Sequence, residues 1–369
     1  MAVYKILAIN PGSTSTKIAV YEDEQLLFNK SIRHESGELG RYAQMAHQFE
    51  FRKKLILKEL AEQHFSLSDF SAIVGRGGLL KPIPSGVYEV NQAMIDELYQ
   101  GRRGEHASNL GGLIAADMAK DIPGCKAYIT DPVVVDELEP VARISGHPAF
   151  QRVSIFHALN QKAVGRKYAR EVGRSYGELN LIIAHLGGGI SVGAHYKGRV
   201  IDVNNALDGE GPFSPERSGT LPAYALAELC FSGNFTLEQV GKMIVGEGGV
   251  VAHLGTNQFS TVCGWAINEG RQDAKLIVDA VAYNISKAIG AMATVLKGKV
   301  DAILITGGMA FNRENGTYGH SFVQDIQDQV TFLAPVKVYP GEDEMLALSM
   351  NGLAVLRGEE EPKEYGMIT

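Results

Sequence analysis

ILAINPGSTSTKIAVY (Ile6–Tyr21) and LIIAHLGGGISVGAHY (Leu181–Tyr196) are two versions of one pattern. Each is an apolar run, a loop of small residues, and a second apolar run closing on Tyr. They align without a gap, so Asn10 falls opposite His185 and Gly12 opposite Gly187. Working outward, each copy is followed by a third strand-like run, QLLFNKSIRH (25–34) and RVIDVNN (199–205). Apolar or alternating runs broken by short polar loops predict strand–turn–strand–turn–strand. A three-strand unit that occurs twice predicts an α/β chain built from two duplicated domains.

The remaining segments fill in that plan. Leu55, Ile56, Leu60 and Phe65 recur at helical spacing within a stretch from about Leu39 to His64. SAIVGRGG (71–78) reads as a buried strand running into a glycine loop, and HASNLGGLIAADMAK (106–120) as a helix. KAYITDPVVVDEL (126–138) is a strand that ends at Asp131-Pro132, and 156–172 is helical. AKLIVDAVAYNISKAIGAMATVL (274–296) is a long apolar helix, and DAILITGG (301–308) is a buried strand with a glycine stop. The tail EDEMLALSMNGLAVLRG (342–358) is an amphipathic helix with acids in its first turn. The predicted boundary lies near 155, giving domains 1–155 and 156–342. Residues 343–369 return to pack on the first.

Composition narrows the class. The 369 residues exceed one ordinary domain and suit two. A 45% hydrophobic share sustains a large core, and a formal charge of -7 disfavours nucleic acid and anionic membranes as partners. No signal peptide or membrane-spanning apolar run is expected. Cys125, Cys230 and Cys263 make neither a disulfide framework nor a zinc signature, and are expected as buried thiols in a reducing cytoplasm.

Phosphate binding needs backbone N–H donors and small side chains that allow close approach. PGSTST (11–16) supplies Gly12 beside the hydroxyls of Ser13 and Thr14, and GGGIS (187–191) supplies Gly187, Gly188 and Gly189. A third glycine stop, Gly307-Gly308, follows a buried strand. One such loop is weak evidence; two aligned copies and a third stop point to a nucleotide. GxxxxGK[ST] is absent, so this is not a Walker loop.

These motifs carry a resemblance. NPGSTSTK, the Arg of VGRGG, the Asp of ITDP, the His of IFHALN, HLGGGIS, the Arg of ERSGTLP, ITGG and EDEMLAL occur in the order of the acetokinase family. That family belongs to the acetate and sugar kinase, Hsp70 and actin superfamily, and its butyrate and branched-chain carboxylate kinase branch is the most similar. The resemblance runs from about residue 4 to residue 357. It implies two actin-like (ribonuclease H-like) domains with a nucleotide cleft between them. It also implies ATP and Mg²⁺ as cofactors, a short-chain carboxylic acid as acceptor, and a homodimer or higher homo-oligomer.

A carboxylate acceptor is already ionised at pH 7 and needs no base; it needs cations that hold it beside a charged phosphate. The resemblance gives that task to Arg76 and Arg217, each beside glycine. It places His185 at the reacting phosphoryl group and His157 nearby. The family's HGTSH reads HALNQ here, with Gln161 in place of the second His. Asn10 and Ser13 are expected at the γ-phosphate, Gly187–Gly189 at nucleotide phosphates, and Gly307 and Gly308 at adenosine. Asp131 and Glu344 are the expected Mg²⁺ ligands, with Asp202 a weaker candidate. His106 is a candidate for the acyl site. The family's GGIGEN reads GGMAFN here. A nucleotide-driven conformational protein shares the hairpins but gives the two arginines no task. Acetate or propionate kinase is the nearer alternative, and a sugar kinase is further off.

Overall fold

The computed structural model describes residues 2–42, 44–311 and 320–366. Two compact units emerge, 1–135 with 343–369, and 136–342. The boundary thus lies at 135 rather than near 155. The intervening residues pair with the second unit: Glu139 N–H donates to the Ile201 carbonyl at 3.0 Å, and Ala206 N–H to that of Ile155 at 2.9 Å.

The strands are β1 (Lys5–Pro11), β2 (Ser15–Glu22), β3 (Gln25–Arg33), β4 (Ala72–Arg76), β5 (Val87–Glu89) and β6 (Lys126–Thr130). They continue as β7 (Asn180–Leu186), β8 (Ile190–Tyr196), β9 (Arg199–Val203), β10 (Ala302–Gly307), β11 (Val336–Pro340) and β12 (Lys363–Glu364). The first unit's sheet runs β12–β5–β6–β4–β1–β2–β3, and the second's β11–β10–β7–β8–β9. In each, an antiparallel meander (β1–β2–β3, β7–β8–β9) joins parallel strands (β4 and β6, β10 and β11) in the same spatial order. The duplication is therefore one of topology as well as sequence.

Register refines the ungapped alignment. Pro11 pairs Thr16 across Gly12–Ser15, whereas Leu186 pairs Ile190 across Gly187–Gly189. The second turn is one residue shorter, closed by Gly187 N–H to the Gly189 carbonyl at 3.1 Å; the first closes from Gly12 N–H to the Ser15 carbonyl at 2.7 Å.

Packing follows the patterning. In the first unit Leu7, Ile9, Ile18, Val20 and Ile73 form the core with Ile56 and Leu60 of the Phe49–Glu62 helix. That helix is shorter than the 39–64 pattern: a separate turn, Ser36–Leu39, precedes it. The Asn109–Ala119 helix lies backbone to backbone on β4. A Cβ on Gly75 would overlap Gly111, and one on Gly111 would overlap Arg76. The Glu344–Leu356 helix packs on β1 and β4, with Asn351 Nδ2 donating to Thr130 Oγ1 at 2.6 Å. In the second unit the Gln272–Val295 helix covers β7 and β8 with Val281, Ile285 and Ile289. By length and composition that helix is apolar enough to cross a membrane, contrary to the sequence expectation. Its apolarity serves packing, because it meets the sheet on one side and two further helices on others.

The thiols also differ from expectation: all three are free, but only Cys263 is buried. Burial pushes its thiol up to about 12. Cys230 is exposed.

Candidate active site

Several of the expected site residues lie at the carboxyl ends of parallel strands in each unit, where α/β sheets bind ligands. In the first unit these are Asn10 on β1, Arg76 closing β4, and Asp131 just past β6. Gly75 and Gly111 let the first turn of the Asn109–Ala119 helix press on β4 beside the Arg76 backbone. Arg76 NH1 lies 3.3 Å from Asn10 Oδ1 and 3.5 Å from Glu344 Oε2. Asn10 Nδ2 donates to the same Glu344 oxygen at 2.5 Å. Asn10, Arg76 and Glu344 therefore form one cluster, with a buried carboxylate and a half-buried guanidinium.

Asp131 is buried at positive φ (37°). Its Oδ1 accepts from Ser85 Oγ at 2.5 Å and Gly86 N–H at 3.0 Å, so this carboxylate holds the turn before β5. Gly12, Ser13 and Thr14 form the β1–β2 turn, with Ser13 and Thr14 exposed. His106 is exposed ahead of the Asn109–Ala119 helix, its Nδ1 2.8 Å from Ser108 Oγ.

In the second unit His157 and His185 stack, with centroids 3.7 Å apart and planes within 10°. His185 Nδ1 meets Asn160 Oδ1 at 2.7 Å, and its Nε2 stands 3.0 Å from Glu342 Oε1, outside hydrogen-bond alignment. His157 is set by a chain the sequence signalled only as a departure. Gln161 Nε2 donates to the Ser191 carbonyl at 3.1 Å and to Ser191 Oγ at 2.8 Å. Its Oε1 therefore faces His195 Nε2, at 2.9 Å, and Tyr176 OH reaches His195 Nδ1 at 2.6 Å. Burial, with Lys162 nearby, holds His195 well below the usual histidine range and hence neutral. Ser191 Oγ also lies 2.9 Å from His157 Nδ1.

Arg217 runs across the glycine turn. A Cβ on Gly189 would overlap its guanidinium, so this glycine serves the arginine. Arg217 NH1 donates to the Ala206 carbonyl at 2.6 Å, while the buried Nε has no partner among the described residues. Burial pushes this guanidinium down, against the pull of Glu216 and Asp208. A desolvated cation with an unmet donor is a site for an anion.

Beside it, Gly187, Gly188, Glu216, Trp265, Gly308 and Phe311 are among the residues lining a cavity of about 880 Å³. Gly308 is unobstructed, whereas Gly307 (φ 95°) exchanges two backbone hydrogen bonds with Gly341. Asn312 of the expected adenosine stretch lies outside the described residues. Asp202 is ion-paired to Arg152 at 2.9 Å, an occupation that suits structure.

Comparison with known proteins decides the family. The acetokinase family model matches residues 151–323. Butyrate kinase 1 of Clostridium acetobutylicum is 55% identical, covering 98% of this chain and all of that one. The chain belongs to the acetokinase family. A probable butyrate kinase of Bacteroides thetaiotaomicron is also 55% identical, over 96% of this chain and 98% of its own. Among solved structures, acetate kinase of Porphyromonas gingivalis superposes with a TM-score of 0.78 at 19% identity, over 96% of this chain and 100% of that one. That likeness shows the actin-like fold of this acetokinase-family member.

Proposed function

We propose that this chain transfers the γ-phosphoryl group of ATP reversibly to a short-chain carboxylate, giving an acyl phosphate and ADP. Butyrate or a branched homologue is the acceptor. The observation that carries this reading is Arg217, a half-buried guanidinium whose buried Nε donor is unmet among the described residues, beside a glycine-lined cavity. The relatives named butyrate kinase supply the acceptor class.

The 880 Å³ cavity suits the nucleotide, with Gly187 and Gly188 at its phosphates and Gly308 on the adenosine side. His157 and His185, stacked ring on ring, offer their ring nitrogens to the transferring group. Arg217 and Arg76 spread the charge that develops on phosphoryl and carboxylate oxygens. Asn10, Ser13 and Thr14 meet the γ-phosphate, and His106 borders the acyl group. Mg²⁺ would be held largely by nucleotide phosphates, with one or two carboxylates. Glu344, buried and already turned toward Asn10 and Arg76, fits as its carboxylate; Asp131, whose Oδ1 accepts from Ser85 and Gly86, is the second candidate. The ion would neutralise phosphate charge.

We further infer a homodimer. The Ala223–Phe231 helix has no buried residue, and Tyr224, Phe231 and Leu237 are 78%, 91% and 89% exposed. An apolar surface of this kind calls for a partner, and a second copy is the simplest one. The absence of disulfides among the three cysteines supports a cytoplasmic setting.

Hydroxamate trapping across acetate, propionate, butyrate, isobutyrate and isovalerate tests the acceptor. Best kcat/KM with a four- or five-carbon acid is expected. A clear preference for acetate or propionate would move the assignment to that branch of the family.

A further inference from the structure

The Phe49–Glu62 helix buries a full cation. Arg52 is 0% exposed, and among the described residues it has no carboxylate partner. Its donors all end on neutral oxygens. NH1 donates to the Gly12 carbonyl at 2.7 Å, the Ser15 carbonyl at 3.2 Å and Thr16 Oγ1 at 3.2 Å. NH2 donates to the Ser13 carbonyl at 3.2 Å and Gln48 Oε1 at 2.8 Å, and Nε to the same Gln48 oxygen at 3.1 Å. A buried charge normally has an ion partner, so this one invites an anion.

The position of those carbonyls matters more than their number. In a planar trans peptide the C=O of one residue and the N–H of the next point in opposite directions. Drawing the Gly12 and Ser13 carbonyls inward therefore turns the Ser13 and Thr14 N–H groups outward. The Thr14 carbonyl is taken by His34 N–H at 2.9 Å, which completes the inner face. Neither outward N–H has a partner among the described residues, and both residues are exposed. His34, 2.8 Å from Thr16 Oγ1, is pushed down to about 4, first by burial and then by Arg52, so it adds no second charge near neutrality.

We propose that Arg52 is a positioning residue that shapes the Gly12–Ser15 turn into a donor pair for the terminal phosphate of ATP. The two outward N–H groups contact the phosphate, and the single positive charge behind them supplies its counter-charge through the turn. This rests on the kinase reading only in assigning the phosphate to this turn.

Calorimetric binding of ATP and ADP to the full chain tests it, because a residue that merely supports the fold would weaken both nucleotides alike. Arg52→Lys keeps the charge but loses the fork, and Arg52→Met loses both. For each folded variant the ATP-to-ADP affinity ratio should fall at least tenfold, more for Met. An unchanged ratio in both would overturn the proposal. Should neither variant fold, amide-resolved hydrogen exchange on the wild type decides: Ser13 and Thr14 should gain protection with ATP beyond that with ADP, and equal exchange refutes it. Binding is read without turnover, so failure here differs from failure to form acyl phosphate.

Discussion

At the residue scale, the arginines and the polar chain beneath His157 make the sharpest claims. Gly189→Ala should mimic loss of Arg217, because the added Cβ displaces the guanidinium. A kcat loss of roughly 100-fold is expected from a misplaced charge stabiliser. Wild-type kcat in that variant would detach Arg217 from the chemistry. Ser191→Ala removes the hydroxyl that holds the His157 ring, and kcat should fall about tenfold with the KM for ATP little changed. A change confined to KM would make the chain structural. Asn10, Arg76, Arg217, His157 and His185 stand out in the sequence because motif and resemblance coincide on them, and the structure brings Asn10 to Arg76 and His157 to His185. Arg52 does not stand out, although a signal exists: Arg52, Ile56 and Leu60 lie four apart on one helical face, and all three are buried. An arginine on an apolar stripe is easily read as a solvated edge. Gln161 stood out only as a missing histidine, since a sequence cannot show that its amide joins His195 to Ser191.

At the element scale, the hairpins were readable because period-two alternation and glycine turns are local signals, whereas the order of strands within each sheet came only from the structure. Turn length was not readable: an ungapped alignment hides the one-residue difference that only pairing register reveals. Nor was the contact between the Asn109–Ala119 helix and β4, which depends on glycines distant in sequence. Gly111→Ala forces a Cβ into the Arg76 backbone and should cost about 1–3 kcal/mol, measured by urea denaturation. Because β4 carries Arg76, activity should fall even where the variant remains folded. Unchanged stability would mean the two backbones are not in contact. The Gln272–Val295 helix carries a further lesson, since apolar length alone does not separate a helix packed on a sheet from one that spans a bilayer.

At the scale of the whole molecule, titration and assembly are both open to test. His34 and His195 have folded pKa values below the unfolded 6.5, so between those values the unfolded chain binds more protons. Stability should thus be full above about pH 6.5 and fall as pH drops toward 4. Melting temperature across that range checks this, and His195→Gln should make the fall shallower. Phe231→Glu with Leu237→Glu should convert a dimer to monomer in light scattering, since both side chains are almost wholly exposed. The central claim is that a half-buried guanidinium with an unmet Nε donor at a glycine turn makes this a carboxyl phosphotransferase. Its most direct test is ATP-dependent hydroxamate formation from butyrate by the wild type and Arg217→Ala side by side. The account predicts robust acyl phosphate from the wild type, with a loss of roughly 100-fold or more in the variant while ATP still binds. Equal rates in the two, or ATP hydrolysis without trapped acyl phosphate in the wild type, would contradict it.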